Sequence, residues 1–383
     1  MFGKWEDENL KKRLMDAAGF IGFIIVGALA GISASGIQKE LYGGKATGVQ
    51  SLVPLVIALF IMVVMFFVHI IIHEGGHLLF GWLSGYRFSS FRIANIILAN
   101  NDGKLQIKKY SIPGTGGQCL MIPPKEKGEE VPFVLYNLGG VLTNLITAMI
   151  ALIALLLWDG NAIVRTILSI FSATGFVQAL QNGIPMTTKQ VANDGMNILK
   201  LKKNPKALKA FVNTFYIHEQ TTMGKRLRDM PEKYFEICEG DSIMDSISVT
   251  VLIYRFMRLI DLGKIDEAMK LGEELLDHVD AMAGIHANMV KLELMYCRIL
   301  SDYPKEKIDE LYEDKEVKAF LKVAGRMIST PRYQYAYALL VERDERKAEK
   351  YYNDFYRILK NYPYKADAET EEELLLMAKG KQC

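Results

Sequence analysis

The sequence has little cysteine, little net charge and no recognisable leader peptide. Its four cysteines form no CxxC pair and no disulfide-like framework, so we expect free thiols in a reducing compartment. The formal net charge of +2 is too small to indicate a nucleic-acid partner. The first apolar run is long enough to cross a membrane and does not end in a small-residue cleavage pattern, so no removable signal peptide is expected.

What the chain does contain is long uncharged runs, all of them before about Met186. A membrane-spanning helix needs about 20 mostly apolar residues, because its backbone must satisfy its own hydrogen bonds. We therefore predict about four spans, the last two joined by a short turn into a helical hairpin. The second run exceeds what the bilayer requires, so it must tilt, break or protrude, with Gly75-Gly76 as its weak point. The predicted spans cover residues 17–36, 52–83, 132–158 and 162–185.

Lysine and arginine in the short flanking segments predict the orientation of these spans. The segments before the first span, between the second and third, and after the fourth are basic, whereas Lys39 and Lys45 in the remaining segment are offset by Glu40. The amino and carboxyl termini are therefore expected to be cytoplasmic. The end of the second span lies on the same side.

Between the second and third spans, two strand-like runs flank Asn101-Asp102-Gly103, which is typical of a β-hairpin turn. We expect a small membrane-associated β-hairpin at or slightly within the membrane surface. A plain cytosolic loop is the alternative.

The stretch "HIIIHEGGHLLF", residues 69–80, places ionisable groups inside an apolar span. On a helix, His73 and His77 lie one turn apart on one face, with Glu74 beside them, which is the HExxH arrangement of zinc peptidases. Because charged groups are costly within a bilayer, this setting favours a catalytic zinc over structural histidines. His69 lies one turn earlier. For it we favour a packed histidine bonded to a neighbouring span over a role beside the metal or in proton transfer.

A catalytic zinc requires a third protein ligand. Asp194 follows the apolar hairpin back to the same side of the membrane and is one candidate, although it can also be an ordinary turn residue or a helix N-cap. His218 and Glu219 are rival ligands in the charged part of the chain.

Three separated patches within residues 50–200 resemble the site-2 proteases, which are intramembrane zinc metalloproteases. They are His73-Glu74-Gly75-Gly76-His77, "GVLTN" at 140–144, and "NGIP" at 182–185 followed by "NDG" at 193–195. The resemblance implies that His73, His77 and Asp194 bind Zn²⁺, that Glu74 is the catalytic base, and that Asn144 helps to hold the substrate carbonyl or oxyanion. Two departures are visible. Val141 stands where the family usually has proline, and the segment before Asp194 is longer than the common spacing.

The implied activity is hydrolysis of membrane-anchored peptides or regulatory proteins near the cytoplasmic face of a bacterial cell membrane. The predicted hairpin would hold the extended substrate as an added strand. A receptor or scaffold with a degenerate metal site is the alternative.

The composition changes after about residue 200, where amphipathic stretches rich in Lys, Glu and Tyr begin. Residues 248–279 and 333–363 each predict a helix–turn–helix pair, and Ala268 and Ala348 occupy similar places in them. The fold class is therefore mainly α, with a membrane metalloprotease domain over 1–200 and a soluble helical domain over 201–383. Tetratricopeptide-like pairs that bind a protein partner are the expectation for the second domain, and a simple helical bundle is the alternative.

Overall fold

The computed structural model describes residues 22, 24–45, 47–101, 103–110, 112, 115–124, 131–186, 192–237, 248–279, 282 and 284–382. These residues form two compact units. The first contains the described residues up to Ser84, together with Pro132–Met186 and Asn193–Leu199, and the second contains the rest. Residues 85–131 and the chain from Lys200 onward belong to the second unit. The expected division into domains over 1–200 and 201–383 stays a prediction.

The first unit is a bundle of apolar helices. Among the described residues, α2, α3 and α4 are each long and apolar enough to cross a membrane. The first predicted span lies partly outside the described residues, and its described part is helix α1. The bundle consists of α1 (24–42), α2 (Val53–Leu83), α3 (Phe133–Leu157), α4 (Ala162–Gly183) and the start of α5 (Asp194–Lys203).

Helix α2 continues without a break through Gly75-Gly76 for 31 residues. At about 1.5 Å per residue it is about 46 Å long, so it tilts or protrudes rather than breaks. Helices α3 and α4 form the predicted hairpin, and the Asn161 side chain caps α4 by accepting a hydrogen bond from Val164 N at 2.9 Å. The hairpin turn thus ends one apolar helix and starts the next within four residues.

Helices α2 and α3 cross at a pair of glycines. A Cβ at Gly76 would overlap the carbonyl oxygen of Gly139, and a Cβ at Gly139 would overlap the backbone of Gly76. Small residues allow such close approach between membrane helices. A separate apolar seam packs α1 against α2 and α4 through Val26, Ala30, Ile37, Ala58, Ile61 and Ile170.

The second unit begins with a four-stranded antiparallel sheet of order β3-β2-β1-β4. The predicted hairpin is confirmed, because β2 and β3 pair from Ile96 with Lys109 to Asn101 with Lys104, and Gly103 has a φ of 78°. Two further strands were not predicted. The hairpin's membrane association remains a prediction. The strands are β1 (Arg87–Ile93), β2 (Ile96–Asn101), β3 (Lys104–Lys109) and β4 (Gly117–Ile122).

The rest of the second unit is helical. Both predicted helix–turn–helix pairs are present, as α7 with α8 and α12 with α13, and Ala268 and Ala348 are buried near the start of the second helix in each pair. The tetratricopeptide-like arrangement remains a prediction. The helices are α6 (Pro205–Thr222), α7 (Ser248–Asp261), α8 (Ile265–Leu276), α9 (Gly284–Leu300), α10 (Lys305–Tyr312), α11 (Lys315–Val323), α12 (Ser329–Ala336), α13 (Glu345–Leu359) and α14 (Lys365–Gly380).

Candidate metal centre

Two imidazoles and one carboxylate converge within the first unit. The Nε2 atoms of His73 and His77 lie 3.1 Å apart. Asp194 Oδ2 lies 3.1 Å from His73 Nε2 and 3.5 Å from His77 Nε2. Within the part of the chain that the structure describes, these three residues form the one group of His, Cys, Asp and Glu side chains able to hold a metal ion.

The geometry of this group fits a zinc ion. Bonds of about 2.0–2.1 Å to a tetrahedral zinc place neighbouring ligand atoms about 3.3–3.4 Å apart. The three observed separations, 3.1, 3.1 and 3.5 Å, bracket that value. In addition, Asp194 Oδ2 is buried and accepts no hydrogen bond. A buried carboxylate oxygen facing two ring nitrogens, without a donor of its own, is suited to a cation.

Both histidine rings are held by helix α3. His77 Nδ1 lies 2.7 Å from the carbonyl oxygen of Tyr136. Because a carbonyl only accepts, Nδ1 must carry the proton, which leaves the Nε2 lone pair directed at the group. The His73 ring lies against Gly140, where a Cβ would be 2.5 Å from His73 Nδ1. A side chain at Gly140 would therefore displace the His73 ring.

Asp194 is positioned by its neighbour Asn193. The Asn193 amide nitrogen donates to the carbonyl oxygens of Gln181, at 2.6 Å, and Ile184, at 2.7 Å. Its Oδ1 accepts from the backbone nitrogens of Met186 and Met196, both at 2.9 Å. Asn193 is thus the N-cap of α5, and Asp194 is the first residue of that helix. The alternative of Asp194 as an N-cap is wrong by one residue, and the role of Asn193 was not predicted.

Glu74 is buried on α2, next to His73 in the sequence. Asn144, on α3, is fully buried and makes its contact with His69 rather than with the three converging residues. His69 Nε2 also lies 2.8 Å from the carbonyl oxygen of Phe171 on α4. His69 is thus buried and hydrogen-bonded to a neighbouring span, as expected. The preference for packing over a role beside the metal stays a prediction. The catalytic roles expected for Glu74 and Asn144 remain predictions.

The rival ligands have other partners in the second unit. Glu219 Oε1 accepts a hydrogen bond from Arg87 at 2.5 Å. His218 lies edge-on to Tyr364, and burial lowers the pKa of its imidazole to about 4. Neither belongs to the converging group.

The first unit is thus a bundle of membrane-type helices that brings together two histidines and an aspartate able to hold a metal ion. The profile of Peptidase family M50 matches residues 61–295, more than half of the chain, and the protein belongs to this family of site-2 proteases. No curated protein and no solved structure matches the chain. Members of the family are zinc metalloproteases that act within membranes. The family and the three apolar helices make this chain an integral membrane protein.

Proposed function

We propose that the protein is an intramembrane zinc protease that cleaves membrane-anchored peptides or regulatory proteins near the cytoplasmic face of a bacterial membrane. The observation that carries this proposal is the convergence of His73 Nε2, His77 Nε2 and Asp194 Oδ2 at 3.1–3.5 Å. The basic segments around the spans support a cytoplasmic position for this end of α2.

In this proposal His73, His77 and Asp194 hold the zinc ion, which supplies Lewis acidity for polarising the scissile carbonyl. Glu74, buried beside both histidines, accepts the proton of the attacking water and returns it to the leaving amine. Asn144 contributes a polar amide one turn further along α3 from Gly140, and this amide helps to hold the substrate backbone.

A membrane-spanning substrate must be extended before its peptide bonds can react, because a helix hides them. Strand β3 is at one edge of the sheet, and an edge strand can accept an extended segment as a further strand. We propose this edge as the place where the unwound substrate binds.

The proposal is tested with the Glu74→Gln variant. This change removes the base and leaves the three zinc ligands in place, so we expect cleavage to fall by about 10²- to 10⁴-fold with an unchanged zinc content. Membrane peptides that accumulate uncleaved in cells carrying Glu74→Gln identify substrate candidates. These are then reconstituted in vesicles with the purified wild-type or variant protein.

Glu369→Gln, at an exposed position of α14, is the control for loss of one carboxylate, and it should cleave as the wild type does. Equal cleavage by wild type and Glu74→Gln would refute the assignment of the base. Purified wild type without zinc would instead favour a receptor or scaffold with a degenerate metal site.

A further inference from the structure

His69 ties three helices of the first unit together. Its side chain is completely buried on α2. Its Nε2 lies 2.8 Å from the Phe171 carbonyl oxygen on α4, and its Nδ1 lies 3.1 Å from the side-chain amide of Asn144 on α3. A Cβ at Gly175 of α4 would be 2.5 Å from the ring, so α4 leaves room for this imidazole.

The hydrogen-bonding capacity of these groups determines where the ring proton lies. The Phe171 carbonyl can only accept, so Nε2 carries a hydrogen. In a neutral imidazole, Nδ1 is then unprotonated and needs a hydrogen-bond donor. A charged ring at this buried position within a span would be costly. Asn144 must therefore turn an N–H toward His69.

The Asn144 amide meets this need in one of its two orientations. The orientation with Oδ1 toward His69 leaves Nδ2 buried without a partner. The oxygen and nitrogen of a side-chain amide occupy interchangeable positions, and the hydrogen-bond network decides between them. Exchanging them gives Nδ2 a partner and gives His69 Nδ1 its donor. This assignment uses one N–H of Asn144 and leaves its second N–H and its oxygen, which then occupies the buried position that has no partner among the described residues.

The pair lies one helical turn from the metal centre. His69 is four residues before His73 on α2, and Asn144 is four residues after Gly140, the glycine against the His73 ring. Residues four apart share a helix face. The His69–Asn144 pair therefore lies on the same interhelical face as the zinc site.

We propose that His69 is a positioning residue that acts through Asn144. It fixes the amide so that one acceptor and one donor, the complement of a peptide group, are directed to the substrate backbone. The role toward the substrate rests on the proposed function. The position of the ring proton and the orientation of the amide are independent of the proposed function.

The first arm of the test is nuclear magnetic resonance of ¹⁵N-histidine protein, with the His69 signals identified by their absence in His69→Gln. We expect a protonated Nε2 and a bare Nδ1. Asn144→Leu should shift the Nδ1 signal and leave Nε2 protonated. A ring protonated at both nitrogens, or an Nδ1 signal that Asn144→Leu does not change, would overturn the assignment whether or not the protein is a protease.

The second arm is a double-mutant cycle on cleavage of the identified substrate. His69→Leu should lower kcat by about 10- to 100-fold, as for other residues that orient a reactive group. Zinc content should not change. Adding His69→Leu to Asn144→Leu should lower kcat by no more than about threefold further, because both changes remove one interaction.

Gln178→Leu is the matched control, because the buried Gln178 side chain also bridges helices, donating from α4 to the Phe66 carbonyl oxygen of α2 at 3.1 Å. It should lower thermal stability as His69→Leu does but retain kcat. If the losses of kcat in His69→Leu and Asn144→Leu are additive, or if Gln178→Leu loses as much kcat as His69→Leu, then His69 only packs between helices. A wild-type protein that cleaves nothing would refute the proposed function while the first arm still decides the amide orientation.

Discussion

Each candidate zinc ligand is held by groups that carry no metal themselves. The Tyr136 carbonyl fixes the proton of His77, Gly140 makes room for the His73 ring, and Asn193 fixes the start of the helix that carries Asp194. Such partners orient a ligand before the metal arrives, so less ordering is required on binding.

The identity of the third ligand can be tested at this scale. Asp194→Asn removes the carboxylate that lies 3.1 and 3.5 Å from the two ring nitrogens. Loss of a residue that only orients a ligand typically lowers metal affinity by about 10- to 100-fold. We expect the loss of zinc affinity in Asp194→Asn to be larger than that. Competition with a chelator, followed by metal analysis, measures this change.

Glu219→Gln is the matched control, because Glu219 was the rival ligand and pairs with Arg87. It should retain zinc as the wild type does. Zinc retained by Asp194→Asn and lost by Glu219→Gln would reverse the assignment.

The sequence predicts which residues are candidate ligands better than it predicts the groups that hold those ligands in place. His73, Glu74 and His77 stand within five residues on one helix, so local periodicity alone brings the two histidines together. Asp194 follows them by more than one hundred residues and was suggested by order along the chain and by family resemblance. A contact made by a backbone carbonyl, such as that of Tyr136, cannot be read from residue types. The capping role of Asn193 was missed because the adjacent Asp194 is also a typical N-cap residue.

At the scale of elements, the crossing of α2 and α3 determines whether the site exists. Gly76 and Gly139 let the two helices approach until their backbones touch, and this approach places α3 against the His73 ring. The adjacent Gly75 has open space at its Cβ position. Two neighbouring glycines of one motif therefore have different structural demands.

We predict that Gly76→Ala and Gly75→Ala differ sharply. The methyl group of Gly76→Ala would force the helices apart, at a cost of about 1–3 kcal/mol, and should lower both thermal stability and zinc content. Gly75→Ala meets no obstacle and favours the helix, so both quantities should be unchanged or slightly higher. Thermal unfolding in detergent and metal analysis of the two purified variants measure the difference, and equal effects would contradict the role of the crossing.

The sheet shows which elements local sequence can predict. The turn residues between β2 and β3 determine that hairpin, because glycine adopts the positive φ that the turn needs. Strands β1 and β4 are paired across more than twenty residues of chain. Their pairing depends on contacts such as the buried Arg92 guanidinium, which donates to the carbonyl oxygens of Ala94 and Gly117. No local sequence pattern predicts such a contact.

At the scale of the whole molecule, ionisable groups are concentrated in the core of the second unit. Arg332 is fully buried and pairs with Glu293 at 2.8 Å and Glu371 at 2.6 Å. Asp367, one turn before Glu371, has its pKa raised to about 7 by desolvation and by the neighbouring carboxylates of Glu371 and Asp261. This region therefore responds to pH near neutrality.

The sign of that response follows from linkage. The ordinary pKa of Asp367 is 3.8, so between about pH 4 and pH 7 the folded protein binds a proton that the unfolded chain has released. Stability from this group is therefore present below pH 4, falls as the pH rises toward 7, and changes little above it. Asp367→Asn removes the dependence, and we expect it to raise the melting temperature of the second unit relative to wild type at pH 8 but not at pH 4.

Melting curves from pH 4 to pH 8 measure the difference between the two proteins. Glu369→Gln, which removes an exposed carboxylate from the same helix, controls for the change in net charge. A melting-temperature difference that does not vary with pH would contradict the raised pKa of Asp367.

The hydrogen bonds of Asn193 have a consequence for chain length. They join the end of α4 to the start of α5, and the backbone nitrogen of Asn193 also donates to the Met186 carbonyl oxygen at 3.0 Å. The two ends of the intervening segment are thereby fastened to each other. We therefore expect that residues added between Met186 and Asn193 would leave Asp194 in place, so that the spacing between the Pro185 and Asp194 motifs can differ while the arrangement of the candidate ligands is kept.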